Sequence, residues 1–208
     1  MTAPGDTAIE VFADVGCPFT HVGLRRFVEA RRAAGRPGVV LRVRSWPLEV
    51  VNGTPLDPHF IAEEVDEIRE QVAPELFAGF EESAFPSTSL PAMALAAAAY
   101  QQGDRVGEAV SLELRDLLFE QGVDIASPAT LRPVADRHGV TFDPDDTSAV
   151  LAEHAEGVAR AVTGSPHFFT PDGNFFCPAL DVSRDARGHL RIVADPEGFD
   201  RFLAACLA

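Results

Sequence analysis

The chain has 208 residues, of which 46% are hydrophobic, and its formal net charge is −15 at pH 7. This length and composition predict a soluble domain with a sizeable core, with or without an inserted subdomain. The negative charge argues against nucleic acid or an anionic membrane as a partner, because both would repel the chain. The N-terminal residues lack the pattern of a secretory signal, and the longest apolar run, Ala92 to Tyr100, is too short to cross a membrane. We therefore expect a cytoplasmic protein.

The chain begins with the pattern of a strand, a helix and a second strand. Apolar residues from Ile9 to Ala13 predict the first strand, and those from Val39 to Val43 predict the second. The helix between them is expected to run from Cys17 to about Ala34, with Pro18 in its first turn and Gly35 after its end. These elements form a βαβ unit.

The middle of the chain, from about Pro55 to Arg160, is almost wholly helical in its patterns. Amphipathic or alanine-rich spacing predicts helices over Pro58 to Gln71, Pro91 to Gln102 and Arg105 to Gln121. Ser127 and Asp143 each precede a proline, and each is therefore predicted to cap the N-terminus of a further helix.

Strand patterns return near the C-terminus. His167 to Thr170 and Asn174 to Cys177 flank the turn Pro171-Asp172-Gly173 and predict a hairpin that places Cys177 nearly opposite Phe168.

Two elements are expected to complete the chain. Leu190 to Val193 is either a further short strand or an extension, and Asp195-Pro196 precedes a last helix that runs through Leu207.

Cys17 lies where the first strand gives way to the first helix. A cysteine in the first turn of a helix faces free backbone N–H groups and the positive end of the helix dipole, and both favour the thiolate. We therefore predict a nucleophile whose pKa lies well below the ~8.5 of an ordinary cysteine. The Thr20 hydroxyl can donate a hydrogen bond to its sulfur. His21 either pairs with the thiolate or, as we favour, is half-exposed and has no role.

The three cysteines, Cys17, Cys177 and Cys206, are an odd number, and their wide spacing argues against a disulfide framework. Cys177 is predicted to be either a small buried residue or a remote resolving cysteine, whereas Cys206 is expected in the core. The histidines show no metal-ligand spacing to one another or to the cysteines, so we predict no metal site.

The run Cys17-Pro18-Phe19-Thr20 between strand and helix resembles the active site of thioredoxin-fold proteins, in which strand, C-P-x-C and helix follow in that order. Gly164-Ser165-Pro166 resembles the segment that carries the cis-proline of these folds. With a helical insertion between the two halves, the chain resembles DsbA-like proteins, and especially their FrnE-like branch. Further motifs that carry this resemblance are Gly23-Leu24-Arg25-Arg26-Phe27, Trp46-Pro47-Leu48-Glu49 and Gln101-Gln102-Gly103.

The resemblance implies an α/β protein with a thioredoxin-like fold (βαβ…ββα) and a large all-helical insertion. The thioredoxin-like domain would comprise residues 1–54 and 161–208, and the insertion domain residues 55–160. Cys17 would be the nucleophile and Thr20 its hydrogen-bonding partner. The implied substrate-binding residues are Pro18, Phe19, Ser165, Pro166 and His167.

The resemblance also implies a thiol-disulfide oxidoreductase, but with one departure from the family pattern. Thr20 stands where the family has its second cysteine, so the internal step that resolves a mixed disulfide is missing. We therefore expect a monothiol enzyme with no bound cofactor. Its partners would be a disulfide or thiol-containing substrate and a low-molecular-weight thiol as co-substrate, and assembly as a homodimer is one expectation.

Two other functions stay open at this point. One is a glutathione transferase or isomerase that resembles the kappa and hydroxychromene-carboxylate branch, where a hydroxyl residue commonly occupies the place of the cysteine. The other is a thioredoxin-fold binding module or chaperone without redox activity.

Overall fold

The structure is a computed structural model that describes residues 6–207. Its main sheet has four strands, β1 (Thr7–Ala13), β2 (Val39–Ser45), β3 (His167–Thr170) and β4 (Gly173–Phe176). Their spatial order is β2-β1-β3-β4. β1 pairs parallel with β2 and antiparallel with β3, and β3 pairs antiparallel with β4. The central pair β1-β3 therefore joins segments from opposite ends of the chain.

Helix α1 (Pro18–Ala33) connects β1 to β2, which confirms the predicted βαβ unit. Proline suits its first position because no helical hydrogen bond is lost there, and Arg31 and Arg32 suit the negative end of the dipole in its last turn. Gly35 follows with a φ of 63°, a left-handed conformation that glycine adopts without strain.

The middle of the chain folds into helices that cover the sheet. They are α2 (Leu48–Asn52), α3 (Pro58–Gln71), α4 (Leu90–Gln102), α5 (Asp104–Phe119), α6 (Pro128–His138) and α7 (Ser148–Ala159), with a 3₁₀ turn at Glu82–Ala84. The Ser127 side chain accepts the N–H of Ala129 and caps α6, as predicted. No helix within residues 6–207 is both long and apolar enough to cross a membrane.

The prediction that Asp143 caps a helix at Pro144 is wrong. The Asp143 carboxylate instead accepts the N–H of Asp145 at 3.0 Å, within a turn, and α7 begins only at Ser148. This local hydrogen bond satisfies the aspartate without a helix, which is a common alternative for this residue type.

The C-terminal part contains an antiparallel two-stranded sheet, of which the sequence predicts only the second strand. Strand β5 (Leu180–Arg184) pairs with β6 (Leu190–Ala194), and α8 (Pro196–Leu207) follows. β6 lies at the segment for which a strand or an extension was expected. β5 was missed because only its first residue is buried, so its sequence lacks the alternation of a half-buried strand.

The helices pack against the sheet rather than standing apart from it. Tyr100 of α4 accepts the N–H of Val43 at 2.9 Å and donates to the carbonyl of Leu41 at 3.1 Å. Glu108 of α5 accepts the N–H of Leu41 at 3.0 Å. These bonds occupy backbone groups on the free edge of β2, an edge that would otherwise be open to pairing with another chain. Phe168 of β3 packs against Phe202 of α8 with ring centroids 4.6 Å apart, in the same hydrophobic cluster as Tyr100.

Candidate active site

Cys17 is the N-cap residue of α1, immediately before Pro18. Its backbone is extended, with φ −85° and ψ 116°, and its carbonyl accepts the N–H of His21 at 3.2 Å. The end of β1 and the start of α1 therefore fix its position from both sides. The residue is only 4% exposed, so the thiol lies just beneath the surface rather than on it.

The Ser165–Pro166 segment lies against Cys17, although Ser165 and Cys17 are 148 positions apart in the sequence. The Cys17 Sγ donates to the Ser165 carbonyl at 3.3 Å. The Ser165 Oγ accepts the N–H of Asp14 at 2.9 Å and shares a 2.8 Å hydrogen bond with the Thr20 Oγ1. The Ser165–Pro166 peptide bond is cis. The structure thus brings together four of the residues implied by the sequence, namely Cys17, Thr20, Ser165 and Pro166.

The pKa of the Cys17 thiol is raised, which contradicts the low value that the sequence predicts. Burial is the largest cause, because it penalises the charged form. Hydrogen bonds from Thr20 and Ser165 lower the pKa, whereas the nearby Glu64 carboxylate raises it. Burial also raises the pKa of Glu64, to about 7. The expectation of a low pKa at a helix N-terminus did not account for burial of the thiol. It also did not account for the Glu64 carboxylate of α3, whose negative charge disfavours a thiolate.

These opposing contributions predict the pH dependence of Cys17 alkylation. We expect Cys17 to react with iodoacetamide more slowly at pH 7 than a free cysteine does. Glu64→Gln should move the midpoint of the rate profile down by about 0.5–1 pH unit, since it removes a negative charge that exists only above about pH 7. Thr20→Val should move the midpoint up, since it removes a hydrogen bond to the sulfur. Mass spectrometry of the Cys17 peptide between pH 6 and pH 10 measures both shifts.

The matched control for this experiment is Glu63→Gln. Glu63 is the exposed neighbour of Glu64 on α3, and it does not contribute to the pKa of Cys17. Equal midpoints in the two glutamine variants would contradict the role given to Glu64.

The other predicted substrate-binding residues occupy different places. Pro18 is buried in the first turn of α1, and Phe19 lies at the edge of a cleft beside Ser165. His167 does not line this cleft. Its Nδ1 accepts the N–H of Thr163 at 3.1 Å, and its ring stacks on Phe169 at 4.9 Å. Its side chain is thus engaged by Thr163 and Phe169, and its role in substrate binding stays a prediction.

Cys177 lies closer to the site than the sequence predicts. Phe168 pairs with Phe175, so the hairpin places Cys177 opposite Pro166 and not opposite Phe168. The Cys177 N–H donates to the Pro166 carbonyl at 3.0 Å. Burial and the proximity of Cys17 raise the pKa of its thiol to about 12. Cys17, Cys177 and Cys206 are all free thiols, and Cys206 is packed in the core between α8 and the sheet.

A buried acidic and a buried basic side chain lie behind the cysteine. The Asp14 carboxylate accepts the N–H groups of Gly16 at 2.7 Å and Leu48 at 2.6 Å, and the Ser89 hydroxyl at 3.3 Å. Arg115 donates to the Asp14 carbonyl at 3.1 Å. Burial raises the pKa of Asp14 and lowers that of Arg115. Asp14 thereby ties the loop that precedes Cys17 to α2 and α4.

His21 is buried and paired, so the expectation of a half-exposed residue is wrong. Its ring is packed against Phe77 and Phe119, and its Nε2 lies 2.7 Å from the Glu120 carboxylate. Burial lowers the pKa of His21, so we assign a neutral ring that donates its Nε2–H to Glu120. This bond and the N–H of Phe77 hold the pKa of Glu120 at about 2. The side chain contributes to the packing of α1 on the end of α5.

A cleft of about 750 Å³ opens beside Ser165. Its apolar wall contains Phe19, Phe176, Pro178, Leu180, Val182, Val193 and Ala194, and its polar groups are those of Ser165, Cys177, Asp181 and Asp195. Its volume suits a small organic molecule or a short peptide segment. The described residues 6–207 contain no group of three His, Cys, Asp or Glu side chains arranged to hold a metal ion.

Sequence reasoning missed most of this cleft. Asp181 and Val182 belong to β5, which was not predicted, and Val193 belongs to β6. One signal was available for Asp195, because Asp195-Pro196 was expected to precede a helix. Nothing in the sequence indicated that the start of this helix lines the same cleft as Ser165, because the two segments are brought together only by the tertiary fold.

The fold is similar to several solved structures. A candidate protein disulfide isomerase from Nitrosomonas europaea has 15% identity and a TM-score of 0.62, covering 96% of this chain and 98% of that one. The cytosolic disulfide reductase DsbM from Pseudomonas aeruginosa has 15% identity and a TM-score of 0.60, covering 97% and 98%. A 2-hydroxychromene-2-carboxylate isomerase has 12% identity and a TM-score of 0.56, covering 82% and 88%. At these identities the likeness concerns the fold.

The sequence comparisons identify the family. A comparison with curated proteins finds no match. Residues 8–186, however, match the DSBA-like thioredoxin domain, and this range includes β1 with Cys17, the inserted helices and the Ser165–Pro166 segment. The match confirms the resemblance drawn from the Cys17 and Pro166 motifs. The chain therefore belongs to the family of DSBA-like thioredoxin domains.

Proposed function

We propose that this protein is a thiol-disulfide oxidoreductase in which Cys17 forms a mixed disulfide that an external small thiol resolves. The observation that carries the proposal is the 3.3 Å contact between the Cys17 Sγ and the carbonyl of Ser165, a residue that lines the cleft although Cys17 itself does not. This contact joins the thiol to the segment that, in thioredoxin-like folds, presents a bound disulfide. Thr20 supports the monothiol form of the reaction, since it provides a hydroxyl in place of a second sulfur.

The reaction balances with the small thiol R′SH as the reductant: one equivalent gives disulfide exchange, and a second equivalent in a second cycle completes reduction to two RSH with release of R′–S–S–R′. Deprotonated Cys17 attacks a disulfide R–S–S–R, which forms Cys17–S–S–R and releases RS⁻, and that product takes up the proton that Cys17 lost. A small thiol R′SH then attacks the mixed disulfide in its thiolate form. This step forms R–S–S–R′, and the Cys17 sulfur leaves as a thiolate and regains a proton.

The raised pKa of Cys17 favours disulfide reduction as the direction of the reaction. Disulfide oxidants in this fold are strong because their reduced thiolate is stabilised. Burial destabilises the Cys17 thiolate, so a mixed disulfide on Cys17 is a weaker oxidant than one on a cysteine whose thiolate is stabilised. DsbM, which is similar in fold, is described as a cytosolic disulfide reductase. We extend to this chain both the reducing direction and the cytoplasmic location.

The raised pKa also favours a second candidate, an activity like that of the 2-hydroxychromene-2-carboxylate isomerase. A Cys17 thiol that stays protonated can donate a hydrogen bond, as it does to the Ser165 carbonyl. In that role it would orient and activate the sulfur of a bound thiol and would form no covalent bond. The two candidates differ in whether the Cys17 sulfur ever becomes disulfide-bonded.

Intact-protein and peptide mass spectrometry test the main proposal. The purified protein is treated with bis(2-hydroxyethyl) disulfide at pH 8, and we expect a mixed disulfide on Cys17. Added small thiol should remove the adduct stoichiometrically. Cys206 is the internal control because it is 5% exposed, close to the 4% of Cys17, but lies in the core away from the cleft.

Modification of Cys17 no faster than that of Cys206 would contradict the proposal. A Cys17–Cys177 disulfide in place of the external adduct would contradict its monothiol form, since Cys177 would then act as the resolving cysteine.

A further inference from the structure

The cleft beside Ser165 has an uneven charge. Its two ionisable carboxyl groups are those of Asp181 and Asp195, and no Lys, Arg or His side chain is among its lining residues. Within residues 6–207, neither aspartate has a basic side chain within ion-pair distance. Asp195 accepts the N–H of Gly198 at 2.8 Å, which ties it to the start of α8. The cleft therefore presents negative charge to a ligand.

The basic side chains near the cleft are engaged elsewhere. The Arg26 guanidinium donates to the carbonyls of Val72 at 2.9 Å and Ala179 at 3.3 Å. Arg184 donates to the Gly188 carbonyl at 2.8 Å and lies 5.5 Å from the centre of the Phe60 ring. Arg191 precedes Val193 on β6, nearer the hairpin turn, and is not a lining residue. None of these three cations lines the cleft, although Arg26 is close enough to lower the pKa of Cys177, which does line it.

The remaining wall is apolar and partly exposed. Phe176 is 55% exposed, Val193 is 43% exposed and Val182 is 38% exposed. These three side chains lie on β4, β5 and β6, and they face a common space with Phe19, which is two residues after Cys17. Such a surface gains free energy when an apolar part of a ligand covers it.

We propose that this cleft selects neutral or cationic disulfides and thiols with an apolar part, and that it disfavours anionic ones such as glutathione. The inference rests on the proposed function and specifies its substrate class. The two carboxylates repel a ligand that carries net negative charge and attract an ammonium group. The net charge of −15 adds a weaker repulsion of the same sign.

Three disulfides of one skeleton test this selectivity. Cystamine is cationic, bis(2-hydroxyethyl) disulfide is neutral and 3,3′-dithiodipropionate is anionic. The second-order rate constant for adduct formation on Cys17 is measured for each and divided by its rate constant with a small neutral thiol, which removes differences in intrinsic reactivity. We expect the order cationic, neutral, anionic, with about a tenfold ratio between the extremes at low salt. The ratio should shrink in 1 M salt because the charges are screened.

A pair of double variants separates the cleft from the overall charge. Asp181→Asn with Asp195→Asn removes both cleft carboxylates, and asparagine at 195 can still cap α8. Asp136→Asn with Asp200→Asn removes two exposed carboxylates that do not line the cleft. The first double variant should reduce the selectivity ratio several-fold, whereas the second should leave it within about twofold of the wild-type value.

The outcomes distinguish the inference from the proposed function. A dithiodipropionate rate equal to or above the cystamine rate would overturn the inference while leaving the oxidoreductase proposal intact. Equal changes in the two double variants would also overturn it, because the selectivity would then belong to the whole surface. If no disulfide modified Cys17 in the wild-type protein, the proposed function itself would fail.

Discussion

Replacement of Cys17 by serine is expected to lower the rate of disulfide exchange by about 10³-fold or more. A serine hydroxyl is not ionised near neutral pH and cannot form the mixed disulfide, so the covalent step is lost. The substitution is close to isosteric, and the hydroxyl can keep the hydrogen bond to the Ser165 carbonyl. The measurement is the exchange between bis(2-hydroxyethyl) disulfide and cysteamine, followed by chromatography of the mixed product at pH 8.

The control for this prediction is Cys206→Ser, which changes a buried thiol outside the cleft and should leave the exchange rate within about twofold, provided the fold is retained. An unchanged disulfide exchange rate in Cys17→Ser would refute covalent catalysis by Cys17, and turnover of an electrophile with a small thiol by the same variant would support the isomerase-like candidate. Accumulation of the Cys17 adduct in Cys177→Ser alone would show that Cys177 resolves it, against the monothiol proposal.

Replacement of Asp14 by alanine is expected to lower the free energy of unfolding by about 3–5 kcal/mol. The substitution leaves the N–H groups of Gly16 and Leu48 and the Ser89 hydroxyl without their acceptor in the interior. It also removes a carboxyl group whose negative charge interacts favourably with the buried Arg115 guanidinium. Urea denaturation followed by circular dichroism at pH 7 measures the change.

Asp14→Asn is the matched variant for this experiment. Its amide retains one acceptor oxygen at nearly the same volume, so we expect a smaller loss of stability than in Asp14→Ala. A loss of less than about 1 kcal/mol in the alanine variant would contradict the role given to Asp14. Loss of the carboxylate that holds the Gly16 and Leu48 N–H groups should loosen the loop before Cys17, so we expect Asp14→Ala to raise the alkylation rate of Cys17.

The elements with strong local signals were predictable. Pro18 and Gly35 bound α1 by conformational preferences that act within one turn of chain, and the apolar strands need no distant partner to be recognised. The site was partly predictable as well, because Cys17 and Ser165-Pro166 carry motifs whose juxtaposition the family resemblance supplied. β5 gave no such signal, since its exposed residues do not alternate with buried ones.

Register and side-chain partners were harder to predict than the elements. Cys177 was predicted to lie nearly opposite Phe168, but it lies opposite Pro166, two residues earlier in the chain. The sequence does not show at which residue the turn closes, so it does not determine this register. His21 was expected to be half-exposed because its own helix gives no sign that Phe77, Phe119 and Glu120 enclose it.

The sequence by itself determined the βαβ start, the order of the main helices, the single sulfur in the Cys17-Pro18-Phe19-Thr20 motif and the family. Only the tertiary structure decided that the pKa of Cys17 is raised and that the cleft beside Ser165 carries two carboxyl groups. The physical reason is range: capping, turn and periodicity preferences act between neighbouring residues. Desolvation and charge interactions depend on what other elements bring near, and here α3 brings Glu64 to the thiol while β5 and the start of α8 bring two aspartates to the cleft.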